Sequence, residues 1–353
     1  HMTKKIKIAI DTMGSDNAPE AQLAGAEMML QENQRNNVFF YLYGHIKSIE
    51  PIISKFDLLQ NNSKIIQSET FISPSEKPSK AIRKGRKSSM GMAIQSVANQ
   101  ETDAVISAGN TGALMALSKI ILKSLPTIDR PAIITRFPSI TGDCIMLDLG
   151  ANIECNADNL FQFAIMGDVY AKSIMNIKNT RIGLLNIGSE DLKGKEEIQI
   201  AANMLKSANI PLNFTGFVEG NEIMNDKVDI IVTDGFTGNV ALKTIEGTAK
   251  VLTSLMKDAF QSSITSKIGA LLSKRSLKSI GHRIDPRRHN GAMLIGLNGI
   301  SVKSHGSADK VAFLNALQVT YDLVHNNINE RITNGVAEFK KSDEEPELSK
   351  QSN

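Results

Sequence analysis

The chain has 353 residues, a formal charge of +3 and 41% apolar side chains. Such a length supports one large α/β domain or two smaller ones, and such a net charge names no partner. With no Trp and 5% aromatics, a stacking surface for carbohydrate or single-stranded nucleic acid is not expected, so nucleic acid is excluded from the expected partners.

In chain order, His1-Met2 reads as a tag remnant and initiator. β-Branched runs predict strands at Ile6–Ile10, Val38–Tyr43, Ala104–Ser107, Ala132–Thr135, Ile145–Leu149, Ile182–Ile187, Leu212–Val218 and Ile230–Thr233. Between most of them, helical spacing predicts Glu20–Glu32, Ser88–Asn99, Gly112–Lys123, Asn159–Met175, Lys195–Ser207 and Gly238–Met256. Alternation of this kind indicates parallel strands with helices on both faces, expected as one α/β/α domain over residues 3–335. Small and polar residues collect after several strands, where open α/β sheets bind ligands. Residues 257–289 form a basic amphipathic segment, with Ile264, Ile268, Leu271, Leu272 and Ile280 between Lys267, Lys274, Arg275, Lys278 and Arg283. A long helix follows Gly306, and 336–353 reads as a disordered tail. No apolar run reaches the roughly 18–20 residues that span a bilayer, and no signal peptide is evident.

Two stretches nearly repeat: DAVISAGNTGALMAL from Asp103 and DIIVTDGFTGNVALK from Asp229. Each runs from a strand through G-x-T-G into a helix. The glycines allow a tight turn with exposed N–H groups, the helix start favours an anion, and Thr can cap or donate. A capped turn with nothing bound is the plainer alternative for one copy. Two copies favour a phosphate or oxyanion site at Gly109, Asn110, Thr111 and Gly112, and at Asp234, Gly235, Thr237 and Gly238. The P-loop pattern, G-x-G-x-x-G and the G-x-S-x-G elbow are all absent. Lys193, in a Gly-flanked strand-end loop, can neutralise an attacking anion, and Asn239 can aim an amide at the same place. His305 can act as acid, base or phosphate ligand, or simply cap a helix. Ser88 can cap a helix within the basic run of Lys80, Arg83, Lys84, Arg86 and Lys87 and hold phosphate there, or the run can dock an acidic partner. Cys144 and Cys155 fit no metal spacing and read as free thiols. No metal cluster is evident, although Asp11, Asp16 and Asp148 end or follow strands and can meet an ion if they converge.

The motifs IAIDTMG from Ile8, SSM from Ser88, SAGNTGALM from Ser107, RPA from Arg130, LDLGAN from Leu147, QFAIMG from Gln162, LLNIG from Leu184, DGFTGNVALKTIEG from Asp234 and KSHG from Lys303 cover nearly the whole chain in order. On these the sequence resembles the bacterial acyl-acyl carrier protein:phosphate acyltransferases. The resemblance implies an α/β/α fold like that of phosphotransacetylases and isocitrate and isopropylmalate dehydrogenases. It also implies conversion of long-chain acyl-acyl carrier protein and inorganic phosphate to acyl phosphate without a cofactor. A homodimer in the cytoplasm, peripherally attached to the membrane, is implied as well. Lys193 and Asn239 match the family's proposed catalytic pair. Ser15 departs from the family's usual second glycine, and a need for positive φ there would strain it.

That chemistry accounts for the missing motifs, because phosphate is the nucleophile and the thioester is already activated. An acidic carrier protein needs a basic surface, for which Arg83, Arg86 or the Lys267–Arg283 stretch is expected. The amphipathic residues Lys267, Ile268, Leu271, Lys274 and Arg275 suit carrier protein, membrane or dimer contact, and the product would pass to a membrane glycerol-3-phosphate acyltransferase. The alternatives are a coenzyme A-dependent phosphotransacetylase, a nicotinamide-dependent hydroxy-acid dehydrogenase, and a non-catalytic scaffold for lipid enzymes.

Overall fold

The strands of the computed structural model, which describes residues 5–32, 34–190 and 192–338, are β1 (Ile6–Asp11), β2 (Val38–Gly44), β3 (Ser63–Gln67), β4 (Ala104–Ser107), β5 (Ala132–Pro138), β6 (Asp143–Leu147), β7 (Ile182–Leu185), β8 (Phe214–Val218), β9 (Ile230–Val232), β10 (Ala292–Ile295) and β11 (Ile300–Lys303). They form one sheet in the order β3-β2-β1-β4-β11-β10-β5-β6-β9-β7-β8. The helices are α1 (Glu20–Gln31), α2 (Ile46–Ile53), α3 (Asp57–Asn61), α4 (Pro78–Lys84), α5 (Ser89–Ala98), α6 (Thr111–Leu122), α7 (Ala157–Ile174), α8 (Glu196–Ser207), α9 (Gly235–Gln261), α10 (Ile264–Leu272), α11 (Lys274–Ile284) and α12 (Lys310–His325).

Alternation along the strands sorts the core into two layers. Ile8, Ile10, Ala104, Ile106 and Val302 face α1, α7, α8 and α12. Ala9, Val105, Met146, Ile231 and Leu294 face α5, α6 and the start of α9. Burial on both faces is why these strands read as continuous apolar runs.

Most pairings are parallel, as the alternation predicts, but β11–β10, β10–β5 and β5–β6 are antiparallel. The connections explain this. Only a few residues join β5 to β6, closed by Ser139 N–H donating to Gly142 C=O at 2.8 Å, and the β10–β11 link is equally short. Links of that length close hairpins, whereas parallel neighbours need a long crossover. In consequence β3, β2, β1, β4, β11 and β5 run one way, and β10, β6, β9, β7 and β8 run the other.

The amphipathic segment forms the end of α9 together with α10 and α11. The expected tail starts inside a helical run over residues 328–338; the rest of it, like His1 and Met2, lies outside the described residues.

Candidate functional site

The paired turns share letters but not geometry. In the first, Asn110 caps α6, its Oδ1 accepting the Ala113 N–H at 2.9 Å. In the second, Asp234 caps α9, accepting the Thr237 N–H at 2.8 Å and the Thr237 hydroxyl at 3.0 Å. Relative to G-x-T-G the cap has moved by two residues, so Thr111 opens its helix while Thr237 is the third residue of its own. The second helix start therefore has its own carboxylate, whereas the first has a neutral cap. Because β4 and β9 run oppositely, the two turns leave opposite sheet edges. The strand spacing puts β4 and β9 roughly 24 Å apart. One phosphate cannot sit in both turns, and this corrects the single cradle that the repeat predicts.

At the second turn the glycines serve close packing. A Cβ at Gly238 would lie 1.9 Å from the Asp148 carbonyl oxygen, and one at Gly235 would lie 2.4 Å from that of Asn152. Asp148 organises the floor. Its fully buried carboxylate accepts the N–H groups of Ile133, Gly150, Ala151 and Asn152 and the Asn152 side-chain amide, at 2.7–3.1 Å. Burial pushes this carboxyl up, while the donors pull it back toward the charged form. Asn239 stands above the same loop: a Cβ at Gly150 would come within 3.6 Å of it. Its exposed amide has no hydrogen-bond partner among the described residues.

Lys193 lies after β7, next to β9 in the sheet. Its ammonium pairs with Glu190 Oε1 at 2.8 Å, with side-chain exposures of 53% and 60%. That carboxylate raises the lysine's pKa, so the side chain is charged at neutral pH. An ion pair this exposed adds little to stability and exchanges readily. The loop is better fixed than its tip. Asn186 Nδ2 donates to Lys193 C=O at 2.9 Å, and Gln199 Nε2 donates to the carbonyls of Leu192 and Gly194 at 3.1 and 3.3 Å. Asn186 escaped the sequence reading although it stands within Leu184-Leu185-Asn186-Ile187-Gly188. Next to this loop a cleft of about 470 Å³ is lined by Arg130, Cys155, Thr233, Asp234 and Lys195 among others; Lys195 Nζ approaches Asp234 Oδ2 at 3.5 Å.

The first turn belongs to another polar centre. Asp11, 2% exposed, accepts the hydroxyls of Ser89 and Ser107, each at 2.7 Å. The Ser107 oxygen in turn accepts the Gly109 N–H at 3.0 Å. Desolvation raises the Asp11 pKa against these hydrogen bonds. His305 Nδ1 stands 2.9 Å from the Ser307 hydroxyl and 3.3 Å from the Ser307 N–H; a ring that accepts that N–H carries its proton on Nε2. Burial and the nearby Lys303 lower its pKa, so the ring is neutral at pH 7. Ser88 caps α5, accepting the Gly91 N–H at 3.1 Å and donating to Gly85 C=O. Ser15 has no positive φ; Gly14 takes it, at +75°. The Ser15 hydroxyl accepts Gln22 Nε2 at 2.6 Å, so the departure from the family pattern carries no backbone strain.

Arg83 and Arg86 are exposed, as are Lys267, Ile268, Leu271, Lys274 and Arg275. Among the described residues no group of three His, Cys, Asp or Glu converges as a metal site, and no helix is long and apolar enough to cross a membrane. Cys144 and Cys155 are free thiols.

A two-directional α/β/α sheet with ligand-ready loops at its strand ends is the architecture of phosphotransacetylases. The phosphotransacetylase EutD of Staphylococcus aureus superposes with a TM-score of 0.58 at 14% identity, covering 91% of this chain and 94% of that one. A phosphotransacetylase of Streptococcus pyogenes gives 0.58 at 15%, with the same coverage. Closer relatives narrow the class. The family described as "Fatty acid synthesis protein" matches residues 6–331. The phosphate acyltransferase of Paramagnetospirillum magneticum is 45% identical over 98% of both chains. That of Rhodospirillum centenum is 46% identical over 99% of this chain and 98% of its own. The chain belongs to this fatty acid synthesis family of phosphate acyltransferases.

Proposed function

We propose that the chain transfers a long-chain acyl group from acyl-acyl carrier protein to inorganic phosphate. A phosphate oxygen attacks the thioester carbonyl and the C–S bond breaks. Acyl phosphate leaves, and the carrier thiolate takes up a proton. The acyl phosphate then serves glycerol-3-phosphate acylation by a membrane enzyme. The observation that carries this reading is an ammonium on the loop after one strand and an unpartnered amide in the first turns of the helix after its neighbour. Lys193 rests on an exposed Glu190 that substrate can displace, and Asn239 is held above the rigid Asp148 loop. Lys193 offsets the charge of the attacking anion, and Asn239 donates to the tetrahedral oxyanion or the attacking phosphate.

The exposed Arg83 and Arg86 suit an acidic carrier protein. The face of α9 to α11 that exposes Leu252, Leu255, Ile264, Ile268, Leu271 and Leu272 suits a homodimer contact and a peripheral hold on the cytoplasmic side of an anionic membrane. The test is incubation with palmitoyl-acyl carrier protein, with and without phosphate, trapping the product with hydroxylamine. Phosphate-dependent hydroxamate supports the reading; hydroxamate from acetyl-coenzyme A alone replaces it with a short-chain phosphotransacetylase.

A further inference from the structure

Asp11, Ser107 and Lys303 stand in one register row across β1, β4 and β11. In-register parallel strands send such side chains to one face, here the face carrying α5, α6 and α9. Asp11 is already occupied by its two serines. Lys303 forms no ion pair among the described residues, and its ammonium meets the carbonyl of Ser304. Two of its three donors are therefore left over.

Other cationic and donor groups gather at the same strand end. Ser304 N–H donates to Ser107 C=O at 2.9 Å, which lays the His305 loop beside the Ala108-Gly109 turn. Three residues after Ser107 comes Asn110, the neutral cap of α6, which leaves the Thr111 and Gly112 N–H groups without intrahelical acceptors. From the other half of the sheet α9 crosses over this face, with Ala241, Leu242 and Ile245 packed on the core. It brings Lys243 close enough that its charge acts on both Lys303 and His305. The Lys243 ammonium is held only by the part-exposed Glu246, at 2.9 Å.

We propose that Lys303 and Lys243, with the His305 Nε2–H and the first turn of α6, form an oxyanion seat for inorganic phosphate, distinct from the Lys193 loop. Two ammonium groups that oppose each other gain from a dianion placed between them, and so do the leftover N–H groups of a helix start with a neutral cap. The neutral His305 donates without needing a charge. Burial lowers the Lys303 pKa to about 8, the Asp11 carboxylate of the same row pulls it back up, and Lys243 adds to the fall. The anion's identity as phosphate rests on the proposed acyl transfer.

The test follows thermal stability of the full chain as inorganic phosphate is added, against chloride at matched ionic strength, together with the hydroxylamine assay. Phosphate should raise the Tm of the wild-type chain. Lys303→Met and Lys243→Gln should each weaken that response about tenfold or more. Lys243 is exposed, so its variant keeps the test alive if Lys303→Met folds poorly. No phosphate stabilisation beyond that of chloride, or a wild-type phosphate response in both variants, would overturn the seat. A phosphate response lost in the variants, with no acyl phosphate from any donor, supports the seat and removes the reaction reading. Acyl phosphate made by variants whose Tm still responds to phosphate as the wild type does removes the seat and leaves the reaction.

Discussion

At Lys303 burial lowers an ordinary pKa of 10.5 to about 8, so the folded chain releases a proton that the unfolded chain keeps. Between those values stability rises with pH; below about 8 the full cost of the buried charge is present. Lys303→Met should therefore raise the phosphate-free stability at pH 7 by the order of 1 kcal/mol and flatten the rise between pH 8 and 10, as read by denaturant melts across pH. Asp148 predicts the opposite outcome. Asp148→Asn turns one carboxylate oxygen into an amide donor that must face at least two of the five N–H groups, and should cost about 2–4 kcal/mol in the same melts. Lys193→Ala touches neither core nor clamp. It should lower turnover about 10²–10³-fold with an unchanged Tm; turnover equal to wild type would remove Lys193 from the chemistry.

Among the elements, α9 joins the two strand ends. Its first turn is pressed so closely on Asp148 that Gly238→Ala must shift the helix, and a loss of about 2–4 kcal/mol is expected by calorimetry. Further along, its exposed residues and those of α10 and α11 should matter only to binding. Ile268→Ser with Leu271→Ser should abolish co-sedimentation with anionic vesicles, or shift the oligomer seen by light scattering, at unchanged turnover of soluble substrate. Much at this scale was legible. Strands such as Ile6–Asp11 and Ala104–Ser107 are buried on both faces, so their β-branched runs stand out. β3 was missed because an edge strand reading Ser-Lys-Ile-Ile-Gln buries little, and β10 because four residues before a tight turn show no period. The repeat misled because G-x-T-G does not say which neighbour will cap. Asn110 and Asp234 occupy different offsets, and only the paths of β4 and β9 decide whether the two turns meet. Lys303 was legible only as the first letter of KSHG, since nothing in a sequence distinguishes a lysine under a helix from one in solvent.

Across the whole molecule the anion groups and exposed arginines lie on a chain of nearly balanced charge, so partner attraction is local and salt-sensitive. Arg83→Glu with Arg86→Glu should raise KM for the acyl carrier protein at low salt and matter little at high salt, with KM for phosphate unchanged. The middle of the sheet has a different consequence. β10 and β11 fill the space between β4 and β5, yet they are the last strands in the chain. During synthesis the ribosome releases two half-sheets long before the strands that join them. Until residue 303 emerges, β4 and β5 each present an unpaired edge of the kind that templates aggregation. A chain cut short before Ala292 has no way to close that gap and should aggregate through those edges.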